Sequence, residues 1–196
     1  MALAKSSASV EDWNAVAQNT IEHSTVYDFS TAYVGFLQIQ AALDTTTAHT
    51  GTKFVVQVLT NTSGDEDWSD LTQFIELIGT AATDLIENNP LNATETSITL
   101  TAHALTVVGK WLLIEDSTLA NSELVFQIAT DTNDIDILDG VTNAHVATTA
   151  IFNLAFVKNI YIPPPVYKAR VLVINTYDAD GSTLNYRVRT TKVTGI

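Results

Sequence analysis

The chain has 196 residues, of which 46% are hydrophobic and 16% charged, so it has enough apolar side chains to bury a core. Its formal net charge is −13, from 9 basic and 22 acidic residues, which disfavours electrostatic binding to nucleic acid or to an anionic membrane. The sequence contains no cysteine, which excludes disulfides, thiolate metal sites and cysteine nucleophiles. The acidic balance fits either a solvated, mutually repelling surface or an acidic face that docks on a basic neighbour.

Residues 1–25 predict a polar N-terminal arm. Its first residues lack the apolar stretch of a secretory signal, and the chain contains no apolar run long enough to span a membrane. The segment 9–18, SVEDWNAVAQ, fits a short helix as well as an extended arm. Trp13 is the only aromatic anchor of the arm. We expect Trp13 to lie in an interface with a neighbouring subunit, and the alternative is that it folds back onto its own domain.

From Val26 onward the sequence predicts β-strands. In 34–43, VGFLQIQAAL, polar and apolar side chains alternate with the period of a strand that buries one face. The segment 53–61 predicts the next strand, after a polar connector. Residues 68–72 fit helical spacing as well as strand spacing, and we expect a short helical turn there before a strand at 73–79.

The middle of the chain predicts several short strands joined by tight turns. They are expected at 96–101, 110–116, 122–132, 134–140 and 147–156. Short strands at such close spacing are typical of a small barrel or a compact sandwich. No segment is a helix of the length that a parallel βαβ unit needs, so a doubly wound sheet is disfavoured.

The last part of the chain contains two turn signals. Three prolines at 163–165 cannot donate to a ladder, so they predict a sheet edge or a crossover between sheets. Asp180-Gly181 predicts a hairpin between the alternating segments on either side of it. In the second of these segments Arg187 and Arg189 share one face, where they either pair with acidic neighbours or are solvated.

We therefore predict an all-β protein with two domains. Residues 26–79 and 156–196 are expected to form one β-sandwich of jelly-roll type, and 80–155 an inserted small β-barrel.

The residues that could carry chemistry form no recognisable motif. The acidic segment 131–140 fails the calcium-loop pattern, because that pattern needs glycine where Asp136 stands and glutamate where Thr142 stands. The acidic residues at 65–67 and Asp70 suit a solvated loop better than a calcium site. The four histidines lack metal-binding spacing. No GxSxG, Walker or GxGxxG motif occurs, so we expect no enzyme, metal or cofactor, although a glycosidase carboxylate pair is set by geometry and stays open.

Three segments carry a resemblance to virion proteins of tailed phages: 24–43 (STVYDFSTAYVGFLQIQAAL), 52–74 (TKFVVQVLTNTSGDEDWSDLTQF) and 167–191 (YKARVLVINTYDADGSTLNYRVRTT). They resemble proteins of the decoration or cement type, and 96–152 resembles the small β-barrel modules inserted into phage structural proteins. The resemblance implies a non-enzymatic structural role in many copies on a capsid, with the major capsid protein or another virion protein and further copies of itself as partners. It also implies assembly in the host cytoplasm and localisation to the virion.

Two other functions stay open. A tail or fibre component that binds a cell-surface glycan would be favoured by an exposed aromatic cluster on the insert. A hydrolase would be favoured by a deep pocket that holds two close carboxylates with perturbed pKa values.

Overall fold

The computed structural model describes residues 3–61, 67–175 and 183–195, with the side chains of 3–10 and 195 outside the description. Apart from a 3-10 turn at Leu119–Asn121, the regular structure of these residues is all β. The strands are β1 (Leu3–Val10), β2 (Asn14–Val16), β3 (Thr20–His23), β4 (Tyr27–Asp28), β5 (Val34–Leu43), β6 (His49–Leu59), β7 (Ser69–Gly79), β8 (Thr83–Leu85), β9 (Ser97–Thr99), β10 (Trp111–Glu115), β11 (Glu123–Thr130), β12 (Asp134–Ile137), β13 (Ala150–Ile162), β14 (Lys168–Asn175) and β15 (Leu184–Gly195). Within the described ranges, no helix is long and apolar enough to cross a membrane.

The strands form two antiparallel sheets that pack as a sandwich. The larger sheet has the order β1-β15-β5-β13-β10-β11-β12-β9, with β2 also paired to β15 and β8 to β13. The smaller sheet has the order β3-β14-β6-β7, with β4 paired to β14. The predicted all-β sandwich is confirmed.

The main core lies between the two sheets because each central strand turns one face inward. In β5 the odd-numbered side chains, Leu37 and Ile39, are fully buried, as the alternation predicts. They belong to one cluster with Phe54 and Val56 of β6 and with side chains of β14 and β15. Phe54 stacks on Phe74 at a centroid distance of 5.4 Å and meets Phe156 edge-on at 5.1 Å.

The helical turn predicted for 68–72 is wrong. Strand β7 is extended from Ser69 and pairs with β6 from His49↔Gly79 to Val58↔Ser69, with one bulge. The spacing of apolar residues fits both structures, and pairing with β6 decides between them because it satisfies the backbone along the whole strand.

The middle segment has an apolar core of its own. Its members come from five strands and from the loops between them: Ile86, Leu91, Ile98, Leu100, Leu105, Leu112, Ile114, Val125, Ile135, Ile137, Val141 and Ile151. The strands curl around this core, but the described residues form no closed barrel, contrary to the small barrel expected here. Between β8 and β9 the pairing shrinks to a bridge between Ile86 and Leu100. The ladder stops there because the Asn88 side chain accepts the Thr99 N–H at 2.7 Å and Pro90 has no N–H to donate.

The longest strand connects the middle segment to the sandwich. β13 pairs with β10 and β8 through its first half and with β5 from Ala155 to Ile162. It therefore runs through the boundary predicted at 155/156. The division of the chain into an inserted domain and a two-part base domain stays a prediction.

The triple proline is a crossover, as predicted, because the chain leaves β13 of the larger sheet and enters β14 of the smaller one. The predicted hairpin is wrong in its pairing. β14 pairs with β3, β4 and β6, whereas β15 pairs with β1, β2 and β5. Asp180 and Gly181 themselves lie outside the described residues. Strands β14 and β15 both bury alternate side chains in the core between the sheets. Strands that face each other across this core bury more apolar surface than two strands paired side by side as a hairpin.

The N-terminal arm takes the extended alternative rather than the helix. β1 and β2 both pair with β15, and β3 pairs with β14, so residues 3–23 touch both sheets. The arm is thus part of the sandwich of its own chain.

Replacing Phe54 by alanine tests the inter-sheet core. The side chain is fully buried between two other rings, so Phe54→Ala should lower the free energy of unfolding by about 3–5 kcal/mol. Phe36 is the matched control, because it lies on a central strand of the opposite sheet but is 39% exposed. Phe36→Ala should change the unfolding free energy by about 1 kcal/mol or less in urea titration. Equal losses in the two variants would contradict this placement of the core.

Candidate functional site

A cleft of about 390 Å³ lies on the outer face of the larger sheet, where the middle segment borders it. Its floor consists of polar side chains from three adjacent strands. The register places Gln38 beside Asn159 and Arg189, and Gln40 beside Val157 and Arg187. The alternation that buries Leu37 and Ile39 aims these side chains at the opposite face.

Hydrogen bonds run across this floor in one direction. Arg187 Nε donates to Gln40 Oε1 at 2.6 Å, Gln40 Nε2 donates to Gln38 Oε1 at 2.7 Å, and Gln38 Nε2 donates to Asn159 Oδ1 at 3.1 Å. Each amide is oriented by its neighbour, so the floor is pre-formed and presents fixed donors and acceptors.

Trp13 supports the floor from the N-terminal segment. Its ring lies 4.5 Å from the Arg187 guanidinium carbon, in a cation–π contact. Its indole N–H donates to Ser122 O at 2.7 Å, and the side chain is only 5% exposed. Trp13 therefore has partners within its own chain, and its place in a subunit interface stays a prediction. Trp13 folds back onto its own domain, as in the alternative, and its ring supports Arg187.

Two guanidinium groups stand next to each other on this floor. Burial and, after it, the charge of Arg189 lower the pKa of Arg187 to about 10, while the charge of Glu123 acts in the opposite direction. Arg187 is still protonated at neutral pH. Arg189 Nε is buried and has no hydrogen-bond partner among the described residues. The sequence left two alternatives for these arginines, solvation or an ion pair with an acidic neighbour. In the structure they are partly buried and form no ion pair with the described residues.

The wall of the cleft comes from the middle segment. Trp111 and Phe126 meet edge-on with ring centroids 5.1 Å apart, and the loop around 138–142 completes the wall. Gly140 lets this loop approach the backbone of Thr94, because a Cβ at 140 would overlap it. Asp139 is exposed at this loop.

A buried ion network holds the wall loop behind the cleft. His145 is fully buried, with Nδ1 3.2 Å from Asp116 Oδ2 and Nε2 2.8 Å from Glu123 Oε1. Glu123 also accepts the backbone N–H groups of Thr142 and Asn143 at 2.7 and 3.0 Å. Both oxygens of this carboxylate are thus engaged.

In this network, hydrogen bonds together shift the pKa values of His145 and Glu123 more strongly than burial does, and in the opposite direction. Burial lowers the pKa of His145, but the bonds to Glu123 and then Asp116 outweigh it, so the pKa lies above its ordinary value of 6.5. Burial raises the pKa of Glu123, but the bonds from His145 and the two backbone N–H groups leave it below 4.5. The backbone bond from Thr118 is the main reason why the pKa of Asp116 lies below 3.8.

The remaining sequence predictions for ligand-binding residues fall in different places. Segment 131–140 is strand β12 followed by a turn, as predicted. Of the acidic loop, positions 65 and 66 lie outside the described residues, and the Asp70 carboxylate accepts a bond from Gln57. Among the described residues, no group of three or more His, Asp or Glu side chains has the geometry to hold a metal ion.

Sequence reasoning named the two arginines but not their setting. It also named the alternation that places Gln38 and Gln40 on the face opposite Leu37 and Ile39, without assigning them a role. It missed Asn159, Trp111 and the His145 network. These contacts join positions that lie up to 147 residues apart, as for Arg187 and Gln40, and the sequence contains no local signal for them.

Comparison with known proteins adds little to this geometry. No family model and no curated protein matches the chain. Among solved structures, VP17, a capsid protein of bacteriophage P23-77, aligns over 100% of both chains with 8% identity and a TM-score of 0.18. A likeness at this level supports no conclusion on fold or function.

Replacing Trp13 tests its role within the monomer. Trp13→Ala removes a buried ring, its N–H bond and its contact with Arg187, and should lower the free energy of unfolding by about 3–5 kcal/mol. Trp13→Phe keeps the ring and loses the donor, and should cost about 1–2 kcal/mol. Urea titration of both variants measures the difference. A Trp13→Ala monomer with unchanged stability would instead restore Trp13 as an element of a subunit interface.

The ion network predicts a bell-shaped dependence of stability on pH. A raised His145 pKa stabilises the fold below pH 6.5, and this contribution is lost as the pH rises through the folded-state value. Lowered pKa values of Glu123 and Asp116 stabilise the fold above their ordinary values of 4.5 and 3.8, and this is lost on acidification.

The network should therefore stabilise most between about pH 4.5 and 6.5. The measurement is the melting temperature as a function of pH for the wild type and for His145→Gln. The variant should melt lower, and its profile should lose the fall above pH 6.5. Parallel profiles for the two proteins would show that His145 does not titrate with folding.

Proposed function

We propose that this chain is a non-enzymatic virion structural protein of the capsid decoration or cement type. Its partner is the major capsid protein or another virion protein, and copies bind around the shell after assembly in the host cytoplasm. The proposal is supported by the sequence resemblance and by one structural observation. An aromatic pair, Phe36 and Tyr161, stands on the solvent face of the larger sheet.

The two rings meet edge-on with centroids 5.7 Å apart. Phe36 is 39% and Tyr161 51% exposed, although each belongs to a central strand whose other face is in the core. In the register they lie next to Gln38 and Asn159, so an aromatic anchor adjoins a polar row on one docking face. Aromatic anchors with a polar surround are typical of protein interfaces, and many symmetric copies multiply a modest affinity.

Self-association is part of the proposal. Strand β7 ends the order of the smaller sheet and has no partner on its outer side among the described strands. Ile75 and Ile78 of this strand are 56% and 67% exposed. An open edge with exposed apolar side chains suits pairing with a neighbouring copy.

A tail or fibre component that binds a glycan is the second candidate. Trp111 and Phe126 form the aromatic pair on the insert that would favour it, and both line the cleft. A hydrolase has less support. Asp116 and Glu123 both contact His145, but both have lowered pKa values, whereas a glycosidase pair needs one carboxyl group that stays protonated.

Binding of purified protein to phage particles stripped of it tests the docking face. Phe36→Ala/Tyr161→Ala should keep its fold and lose at least about tenfold in affinity for the particles in co-sedimentation. Two single variants form a matched pair, with Tyr161→Ala as the test and Tyr167→Ala as the control. Tyr167 is also exposed, at 37%, but it lies after the crossover, immediately before β14 of the smaller sheet. Only the first of the two should weaken binding.

Equal binding by the Phe36/Tyr161 variant and the wild type would contradict this docking face. Imaging of decorated particles gives the second readout. It should show the larger sheet against the shell, and it shows directly whether neighbouring copies meet at β7.

A further inference from the structure

We propose that the cleft on the larger sheet binds an acidic saccharide, with Arg187 and Arg189 receiving its carboxylate and Trp111 and Phe126 contacting its ring. The cleft adjoins the docking contact through Phe36 and Tyr161, since Gln38 and Asn159 border both, and the inference does not require that the protein decorates a capsid.

Neither arginine has an anionic group as a direct partner within the ranges that the structure describes. Neither forms an ion pair with any carboxylate of the described residues, although the chain has 22 acidic residues against 9 basic ones. Arg187 gives one N–H to Gln40, and Arg189 Nε is buried without a partner in the described part of the chain. A guanidinium has five N–H donors in a planar fork, so most donors of the pair are uncommitted.

Two like charges held close together are unfavourable without a counter-charge. The arginines are two residues apart on one face of β15, and the charge of Arg189 disfavours protonation of Arg187. A carboxylate that accepts from both groups removes this repulsion and satisfies the buried Nε. Arginine suits this role because its fork matches the two oxygens of a carboxylate.

The acidic side chains near the cleft supply only part of that counter-charge. The charge of Glu123 favours protonation of Arg187, but burial and the charge of Arg189 outweigh it. Glu123 lines the cleft, but its oxygens bind His145 and the backbone of Thr142 and Asn143. Asp139 is exposed at the wall loop, and no hydrogen bond or ion pair connects it with either arginine. The ligand must therefore bring the carboxylate.

The rest of the lining selects a saccharide over a simple anion. A sugar ring has an apolar face and a rim of hydroxyl groups. The Trp111–Phe126 pair offers a rigid apolar wall, and the oriented amides of Gln38, Gln40 and Asn159 offer donors and acceptors for hydroxyls. The cleft of about 390 Å³ lies within the size range of small-ligand sites.

Calorimetry with three probes tests the proposal on the full chain. Trigalacturonate should bind, and its methyl ester, which keeps the rings and loses the charges, should bind at least about tenfold more weakly. Triglutamate carries the same number of side-chain carboxylates without sugar rings and should also bind at least about tenfold more weakly.

Two variants with a matched control locate the site. Arg189→Gln and Trp111→Ala should each weaken trigalacturonate binding by about tenfold or more. Arg170→Gln should leave binding unchanged. Arg170 is the chemical match of Arg187, since it donates to Gln57 at 3.0 Å and lies 4.3 Å from the Trp68 ring, but it belongs to the smaller sheet. Amide shifts of the unaltered protein with trigalacturonate give a readout that needs no variant, and they should cluster at β11, β15 and 138–142.

Several results would overturn the proposal. They are no binding of trigalacturonate up to about 10 mM, equal binding of its methyl ester, or equal or tighter binding of triglutamate. The last result would identify an acidic peptide as the ligand. Amide shifts confined to other strands would likewise reject this cleft. Loss of particle docking in the Phe36/Tyr161 variant with intact trigalacturonate binding would separate the two sites.

Discussion

The indole of Trp13 joins three parts of the chain that are far apart in sequence. Its face carries the Arg187 guanidinium of β15, and its N–H binds the carbonyl of Ser122, just before β11. Around it lies a small apolar cluster with members from β5, β10 and β13: Ala42, Leu113 and Phe152. A buried N–H without a partner is costly, so this bond fixes the distance between the N-terminal segment and the middle segment. The floor and the wall of the cleft hold a fixed relation because Trp13 contacts both.

The same junction explains how the middle segment stays in place. Its own core is separate from the core of the sandwich, and the two share no buried member. They are connected by strand β13, by the cluster around Trp13 and by Asn185, whose side chain donates to Glu115 at 2.7 Å. A continuous strand transmits position better than a flexible linker, because its hydrogen-bond register with β5 and β10 leaves little freedom. The wall is thus held rigidly although most of its apolar contacts are internal.

The alternation of side chains predicted most of the strands and which face of each strand is buried. In β5, for example, it separated Leu37 and Ile39 from Gln38 and Gln40 correctly. Pairing partners were not predictable from the same signal, because a period of two is the same for any neighbour. The two strands that flank Asp180-Gly181 therefore seemed to form a hairpin, although they belong to opposite sheets. The spacing at 68–72 failed for a related reason, since a short apolar segment fits both periods until a partner strand is known.

The candidate site was predictable only in part. The shared face of Arg187 and Arg189 follows from their spacing. The amides beside them, however, come from strands earlier in the chain, and Gln38 precedes Arg189 by 151 residues (189 − 38). The burial of Trp13 depends on Ser122, 109 residues away. An isolated aromatic residue in a polar segment indicates that something covers it, but not whether the cover is the same chain or another copy.

A protein with a net charge of −13 can still bind an anion in one cleft, because the charges that line the cleft act at shorter distances than the net charge of the whole chain. Exposed charges are screened beyond about 8 Å at physiological ionic strength, so the overall field is felt mainly by ligands with charges spread along their length. A nucleic acid covers a wide surface and meets that repulsion over its whole contact. A short ligand contacts the two guanidinium groups directly, and of the two carboxylates that line the cleft, Glu123 is engaged by His145 and the wall-loop backbone. The acidic surface therefore disfavours long polyanions in the cleft more strongly than short ligands such as a trisaccharide.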